Sequence, residues 1–219
     1  THLMNTYNRL PVAFTHGLGT RLYDADGREY LDALAGLAVN GLGHAHPRLV
    51  AALQEQVARL IHTSNLYRVT EQEQLADRIC ELSGMHEVFF GNSGSEANEG
   101  ALKLVRLYGH KHGEPEAQTI VMENAWHGRT LATLAATGSE KARKGFDPMP
   151  SGFIRVPYND LAAVRKAADA DPRVRAVWIE VLQGEGGIQV ADIEFVRGLR
   201  RMADERGWLL MIDEVQSGI

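Results

Sequence analysis

The sequence predicts an α/β fold in which a mainly parallel sheet is covered by helices on both faces. Short apolar runs recur through the second two thirds of the chain, and amphipathic stretches separate them, the alternation that builds such sheets. With 219 residues, of which 44% are hydrophobic, the chain can bury a sizeable core.

Taken in order, residues 21–32 form two alternating runs around Asp26-Gly27, the pattern of a hairpin. Pro47 suits the first turn of a helix whose apolar side is Leu49, Val50, Leu53, Val57, Leu60 and Ile61. Thr70 and Glu73 have capping-box spacing for a second helix carrying Leu75, Ile79 and Leu82. Strands are expected at 87–90, 119–123, 153–156, 174–181 and 209–215, with helices at about 95–110, 161–168 and 193–206. Thr1-His2-Leu3 before Met4 reads as a tag remnant. The division expected is an N-terminal segment, 1–67, and the N-terminal part of a large domain, 68–219. No repeat or low-complexity linker interrupts either.

Composition excludes several function classes. A net charge of -5 with 23% charged residues gives no reason to expect nucleic acid or an anionic membrane as partner. The single Cys80 cannot form an intrachain disulfide, and the expected location is the cytoplasm. No signal peptide and no bilayer-spanning run is legible.

Chemistry is concentrated at strand exits. Leu209-Leu210-Met211-Ile212 delivers Asp213, Glu214 and Gln216 to the carboxyl end of a buried strand, where open α/β sheets bind ligands. An acid there needs a partner, because an isolated buried charge is costly. The Asp-Glu pair resembles the acid of a nucleotide-binding strand, but no Gly-x-x-x-x-Gly-Lys-Ser/Thr loop accompanies it. A protonated ring nitrogen of a cofactor is the remaining partner. Gly91-Asn92-Ser93-Gly94-Ser95-Glu96-Ala97-Asn98 turns from a strand into a helix, whose first amides attract phosphate or carboxylate. Ser93 and Glu96 also fit a capping box, which needs no ligand. Trp126, at another exit, serves either as packing or as a stacking face for a flat ring. Gln183-Gly184-Glu185-Gly186-Gly187 permits close backbone approach or is simply a flexible loop. His44-Ala45-His46 and His110-Lys111-His112 lack a carboxylate cluster, so loop or surface histidines are expected and no metal site.

These segments, with Asn40-Gly41-Leu42-Gly43-His44-Ala45-His46-Pro47, His127-Gly128-Arg129-Thr130 and Asp213-Glu214-Val215-Gln216-Ser217-Gly218, occur in the order seen in class III pyridoxal-phosphate (PLP) aminotransferases. The chain resembles that family from about Pro11 onward, and within it the acetylornithine group. The resemblance implies the fold type I architecture of PLP-dependent transferases, here an incomplete sheet preceded by an N-terminal hairpin segment. It implies PLP as cofactor, with Gly94 and Ser95 at its phosphate and Trp126, where relatives have Phe or Tyr, on its ring. Asp213 would pair with the pyridine nitrogen, and Val215 and Gln216 lie in the same cofactor cradle. Arg129 would bind the substrate α-carboxylate, and Glu185 would be the conditional partner of a second arginine. The family's Glu-Pro is Glu180-Val181 in this chain.

The implied reaction moves an amino group from N-acetylornithine or a similar ω-amino donor to 2-oxoglutarate, in a homodimer. The resemblance places the Schiff-base lysine beyond Ile219, and Lys103, Lys111, Lys141, Lys144 and Lys166 all precede the matching position. These 219 residues alone are therefore expected to be inactive, with the full-length parent carrying the activity. Two alternatives stand beside that reading: a non-catalytic fragment that folds, associates or binds phosphate, and a class III enzyme for another ω-amino substrate. A sheet cut part-way also leaves an open edge prone to aggregation.

Overall fold

A computed structural model describes residues 2–218; Thr1 of the expected tag remnant and the terminal Ile219 lie outside them. The chain divides into two compact units, one up to Glu87 and one from Val88.

The first unit opens with β1 (Phe14–Leu18), β2 (Arg21–Asp24) and β3 (Glu29–Leu31), an antiparallel sheet in that order. The β2–β3 turn is the expected hairpin. Asp24 Oδ1 accepts the amides of Asp26 (3.0 Å) and Arg28 (2.9 Å), and Gly27 supplies φ +78°. The short α1 (Ala35–Ala38) is left-handed at Gly36 and Leu37. Helices α2 (Pro47–Arg59) and α3 (Thr70–Ser83) form where the periodicity places them, α2 with proline in its first turn. The expected capping box of α3 does not form. Val69 is the N-cap, and Glu73 instead takes a two-pronged bond from Arg68, at 2.7 and 2.8 Å, whose charged fork outcompetes a backbone amide. Leu53, Val57 and Leu75 remain exposed, and among the described residues of this unit only Asp24 is buried. Periodicity sets a helix; burial of its apolar side needs an opposing surface, which the unit does not supply.

The second unit holds α4 (Gly94–Lys111), β4 (Gln118–Met122), α5 (Leu131–Ala136), α6 (Glu140–Arg143), β5 (Phe153–Val156), α7 (Leu161–Ala170), β6 (Val174–Glu180), the small ribbon β7 (Leu182–Gln183) and β8 (Gln189–Val190), α8 (Ile193–Arg206) and β9 (Leu209–Asp213). Strands β5-β4-β6-β9 form one all-parallel sheet. Its side chains alternate as the pleat requires. Ile120, Met122, Val177 and Ile179 pack with Val164 of α7 and Phe195, Leu199 and Met202 of α8. Val121 and Trp178 cluster instead with Leu102 of α4 and Ala136 of α5. Both faces are thus covered, which explains runs apolar throughout rather than alternating.

The strand expected at 87–90 is absent. Those residues pair with no neighbour, and Phe89 is 77% exposed, so an apolar run without a ladder partner stays irregular. The last strand stops at Asp213 rather than 215 because Asp213 Oδ1 takes the Val215 amide at 3.1 Å and turns the chain.

Candidate active site

The carboxyl ends of β4, β6 and β9 open onto one edge of the sheet, and register sets Glu180 directly beside Asp213. Asp213 is 8% exposed. Its Oδ2 accepts from Asn98 Nδ2 and from His127 Nδ1, both at 2.8 Å. A carboxylate only accepts, so the His127 proton sits on Nδ1. Asn98 also donates to the His127 carbonyl at 2.8 Å, and the His127 amide donates to Thr137 Oγ1 at 3.0 Å. The imidazole lies on Trp178, with ring centres 3.8 Å apart and planes 15° apart, while its buried Nε2 has no hydrogen-bond partner among the described residues.

Charge follows from these contacts. Burial alone would raise the Asp213 pKa, but the bonds from His127, Asn98 and the Val215 amide outweigh it and hold the carboxyl below its ordinary value. Burial pushes the His127 imidazole down despite the Asp213 charge. The pair is therefore an aspartate held by a neutral histidine.

Glu180, also 8% exposed, behaves in the opposite way. Its Oε2 accepts the Trp126 amide at 2.9 Å. Burial, followed by the Asp213 and Glu185 charges, pushes its pKa up to about 7 against that hydrogen bond. A carboxyl raised on folding makes the folded state progressively less favoured as pH climbs from about 4.5 to about 7. The stability due to Asp213 is lost only below this window, so the two do not cancel. Glu180→Gln is expected to flatten the decline between pH 5 and pH 8, on the order of 2–3 kcal/mol, in urea unfolding read at each pH. An unchanged slope removes the buried-acid assignment.

Glycines bring the remaining segments close. A Cβ on Gly94, at the start of α4, would lie 2.7 Å from Val215 Cγ1, so the helix start and the strand exit meet through a missing side chain. A Cβ on Gly184 would overlap the Gln216 amide, and one on Gly128 would overlap Ser95 Oγ. Gln183 is buried and donates to the Glu123 carbonyl at 3.0 Å, holding the loop that bears Glu185. The Arg129 guanidinium lies over Trp126, 5.6 Å from the ring centre. Ser93 caps α4 by accepting the Glu96 amide at 3.2 Å; Glu96 reaches back to the Asn92 amide, one residue short of a full capping box.

Gly94, Ser95, Trp126, Arg129, Glu185, Asp213, Val215 and Gln216 thus all lie on segments that end at this edge. Sequence reasoning quoted Asn98 and His127 only as parts of motifs and gave no role to Glu180. Asn98 and His127 stand 115 and 86 residues from Asp213 along the chain, and only the fold joins them. The one advance signal was the buried acid's need for donors.

The other histidines do different work. His44 Nε2 meets Asp32 Oδ2 at 2.7 Å, and its Nδ1 meets the Asn40 amide at 3.1 Å, bracing the loop after α1. His112 Nδ1 donates to the Tyr108 carbonyl at the end of α4. Among the described residues no group of three His, Cys, Asp or Glu side chains could hold a metal ion. No described helix is long and apolar enough to cross a membrane.

The family model "Aminotransferase class-III" matches residues 3–219. Acetylornithine aminotransferase 1 of Bordetella parapertussis is 67% identical over 217 residues, covering 99% of this chain and 55% of that protein. Acetylornithine aminotransferase of Nitrosomonas europaea is 55% identical over 219 residues, covering 100% and 56%. The chain spans about half the length of the curated relatives it matches. Among solved structures, an ornithine aminotransferase from Toxoplasma gondii, with partial occupancy of PLP at its active site, superposes with a TM-score of 0.94 at 32% identity, over 99% of this chain and 51% of that one. N-acetylornithine aminotransferase from Stenotrophomonas maltophilia superposes with a TM-score of 0.82 at 36% identity, over 97% and 53%.

Proposed function

This chain belongs to the class III aminotransferases, and from that premise we propose that it forms the cofactor-cradling part of an enzyme moving an amino group from N-acetylornithine, or a similar ω-amino donor, to 2-oxoglutarate. The observation carrying this reading is the buried, ionised Asp213, whose Oδ2 is satisfied twice by rigid donors. The residues fit PLP. A fixed negative charge suits a protonated pyridine nitrogen, and the first amides of α4, which starts at Gly94, suit a phosphate, with Gly94 letting Val215 pack against the helix start. In this reading Asp213 holds the ring nitrogen, Gly94 and Ser95 the phosphate, Trp126 the ring face, and Val215 and Gln216 the remaining edge.

When bound, PLP supplies an electron sink that lets a proton leave the amino-bearing carbon. Asp213 keeps the ring nitrogen protonated, and its own proton affinity stays low because His127 and Asn98 bond its charged form. His127 and Asn98 are positioning residues that act through Asp213. Arg129 offers the substrate carboxylate a planar fork. Glu185 sits across the same cavity as Trp126, where its charge can hold an incoming amine or a second arginine.

The lysines lie elsewhere: Lys103 and Lys111 in α4, Lys141 in α6, Lys144 just after it and Lys166 in α7. None of them belongs to the Asp213 cluster. A homodimer in the cytoplasm completes the reading.

Titration with PLP, followed by cofactor absorbance and tryptophan quenching, tests it. Saturable one-site binding that inorganic phosphate competes away is the expected result. Binding that phosphate does not touch removes Gly94 and Ser95 from the cradle.

A further inference from the structure

Trp126 stands on a segment pinned at both of its neighbours. The Ala125 carbonyl accepts the Gly138 amide at 2.7 Å. The His127 amide donates to Thr137 Oγ1 at 3.0 Å, and the His127 carbonyl accepts from Asn98 at 2.8 Å. The Trp126 amide is held from another direction, donating to Glu180 Oε2 at 2.9 Å across 54 residues of chain. Glu180 ends β6, so this anchor stands on the sheet itself. Ala125 and His127 are buried, whereas Trp126 between them is half-buried and borders a cavity together with Glu185. Register sets Glu180 beside Asp213 of β9, and Glu185 follows β7. Tyr158, after β5, donates its hydroxyl to the Glu180 carbonyl at 2.7 Å rather than to the carboxyl. His127 is neutral and gives its Nδ1 proton to Asp213. The cations of this edge are Arg129, over the Trp126 ring, and Arg143 and Arg155, which border the Trp126 cavity with Glu123 and Glu140. Glu180 thus has two acids beside it and a neutral amide as its donor, so it holds a charge at a cost and exchanges its proton near neutral pH.

We propose that Glu180 is a positioning residue for Trp126: its ionised carboxyl pins the Trp126 amide and so sets the indole against the cofactor ring, and protonation loosens that hold. This inference rests on the aminotransferase reading and deepens it, since there Trp126 is the face on which the ring lies. A carboxylate bonds an amide about twice as strongly as a neutral acceptor does. The protonated acid keeps an accepting oxygen and loses the charge. The ionised form also stands beside Asp213, where it adds to the negative potential meeting a protonated ring nitrogen. Both effects have one sign, so cofactor affinity rises as Glu180 loses its proton, from about pH 6 to about pH 8. By linkage, cofactor binding in turn favours release of that proton. Folding stability runs the other way over the same range, so the charge at Glu180 serves position rather than stability.

The first readout is tryptophan emission without cofactor, taken as the chain minus its W126F counterpart, for wild type, E180Q and E180D from about pH 5.5 to about pH 8.5. Far-UV circular dichroism checks that each is folded. The Trp126 signal of wild type should shift with a midpoint near pH 7, and that of E180Q, which keeps an acceptor and loses the charge, should stay flat. E180D keeps the charge on a side chain one methylene shorter than the amide contact requires, so it should lose the shift as well. The second readout is PLP affinity by cofactor absorbance, as the ratio of wild type to E180Q at each pH, which cancels the titration of PLP itself. The ratio should be near one at the acid end and reach about five- to tenfold at the alkaline end. E180D should bind PLP no better than E180Q. A pH-independent Trp126 signal in wild type overturns the proposal. So does E180D matching wild type in both readouts, which is the mark of a charge acting through space, and so does a PLP ratio that stays flat. Wild type that binds no PLP at any pH removes the cofactor reading, and the emission profile still decides whether Glu180 positions Trp126.

Discussion

Under the proposed amino-transfer reaction, Asp213→Asn is expected to lower kcat by at least about a hundredfold, the scale set by removing one preorganised charged group from a site where charge develops. PLP affinity should fall with it. The amide keeps the shape of the carboxylate, so the loss would report charge rather than a cavity. The substitution also turns one acceptor into a donor among groups that already donate, namely Asn98 Nδ2 and His127 Nδ1. Asp213→Ala goes further and leaves both donors buried and unmatched, at about 1–3 kcal/mol each. Steady-state kinetics and denaturant unfolding of the two variants separate these contributions. Wild-type turnover by Asp213→Asn would falsify the ring-nitrogen assignment.

Gly128→Ala should destabilise the chain by about 2–4 kcal/mol, the sum of backbone strain and overpacking. Gly128 has φ +131°, where a side chain is strained. The added Cβ would lie 2.6 Å from Thr133 Oγ1 and would overlap Ser95 Oγ. Thr133 is fully buried at the first turns of α5, so it cannot swing away. Ser95 can, and doing so would disturb the start of α4. PLP affinity is therefore expected to drop together with stability. A variant that loses stability while binding PLP normally would show that the phosphate cradle does not depend on this packing.

Much of this protein was legible before any coordinate. The strand at 153–156 and the helix at 193–206 coincide with β5 and α8, because a buried parallel strand and an amphipathic helix each leave a local pattern. The hairpin around Asp26-Gly27 was legible for the same reason: its turn chemistry is contained in adjacent residues. The miss at 87–90 has the opposite origin, since a strand exists only with a partner that the run itself cannot specify. Short helices such as α5, buried from Thr133 to Ala136, carry too few turns to show a period.

The site divides along the same line. Sequence by itself determined the family resemblance, the parallel sheet, and the residue types at its strand exits, because glycines, acids and arginines in ordered motifs are one-dimensional facts. Only the tertiary structure decided that Asn98 and His127 converge on one oxygen of Asp213, that Glu180 stands beside it with a pKa near 7, and that Arg143 and Arg155 share a cavity with Trp126. The reason is physical. Burial, dielectric surroundings and hydrogen-bond partners are set by atoms distant along the chain, and these set a group's charge, whereas residue type only makes that charge available.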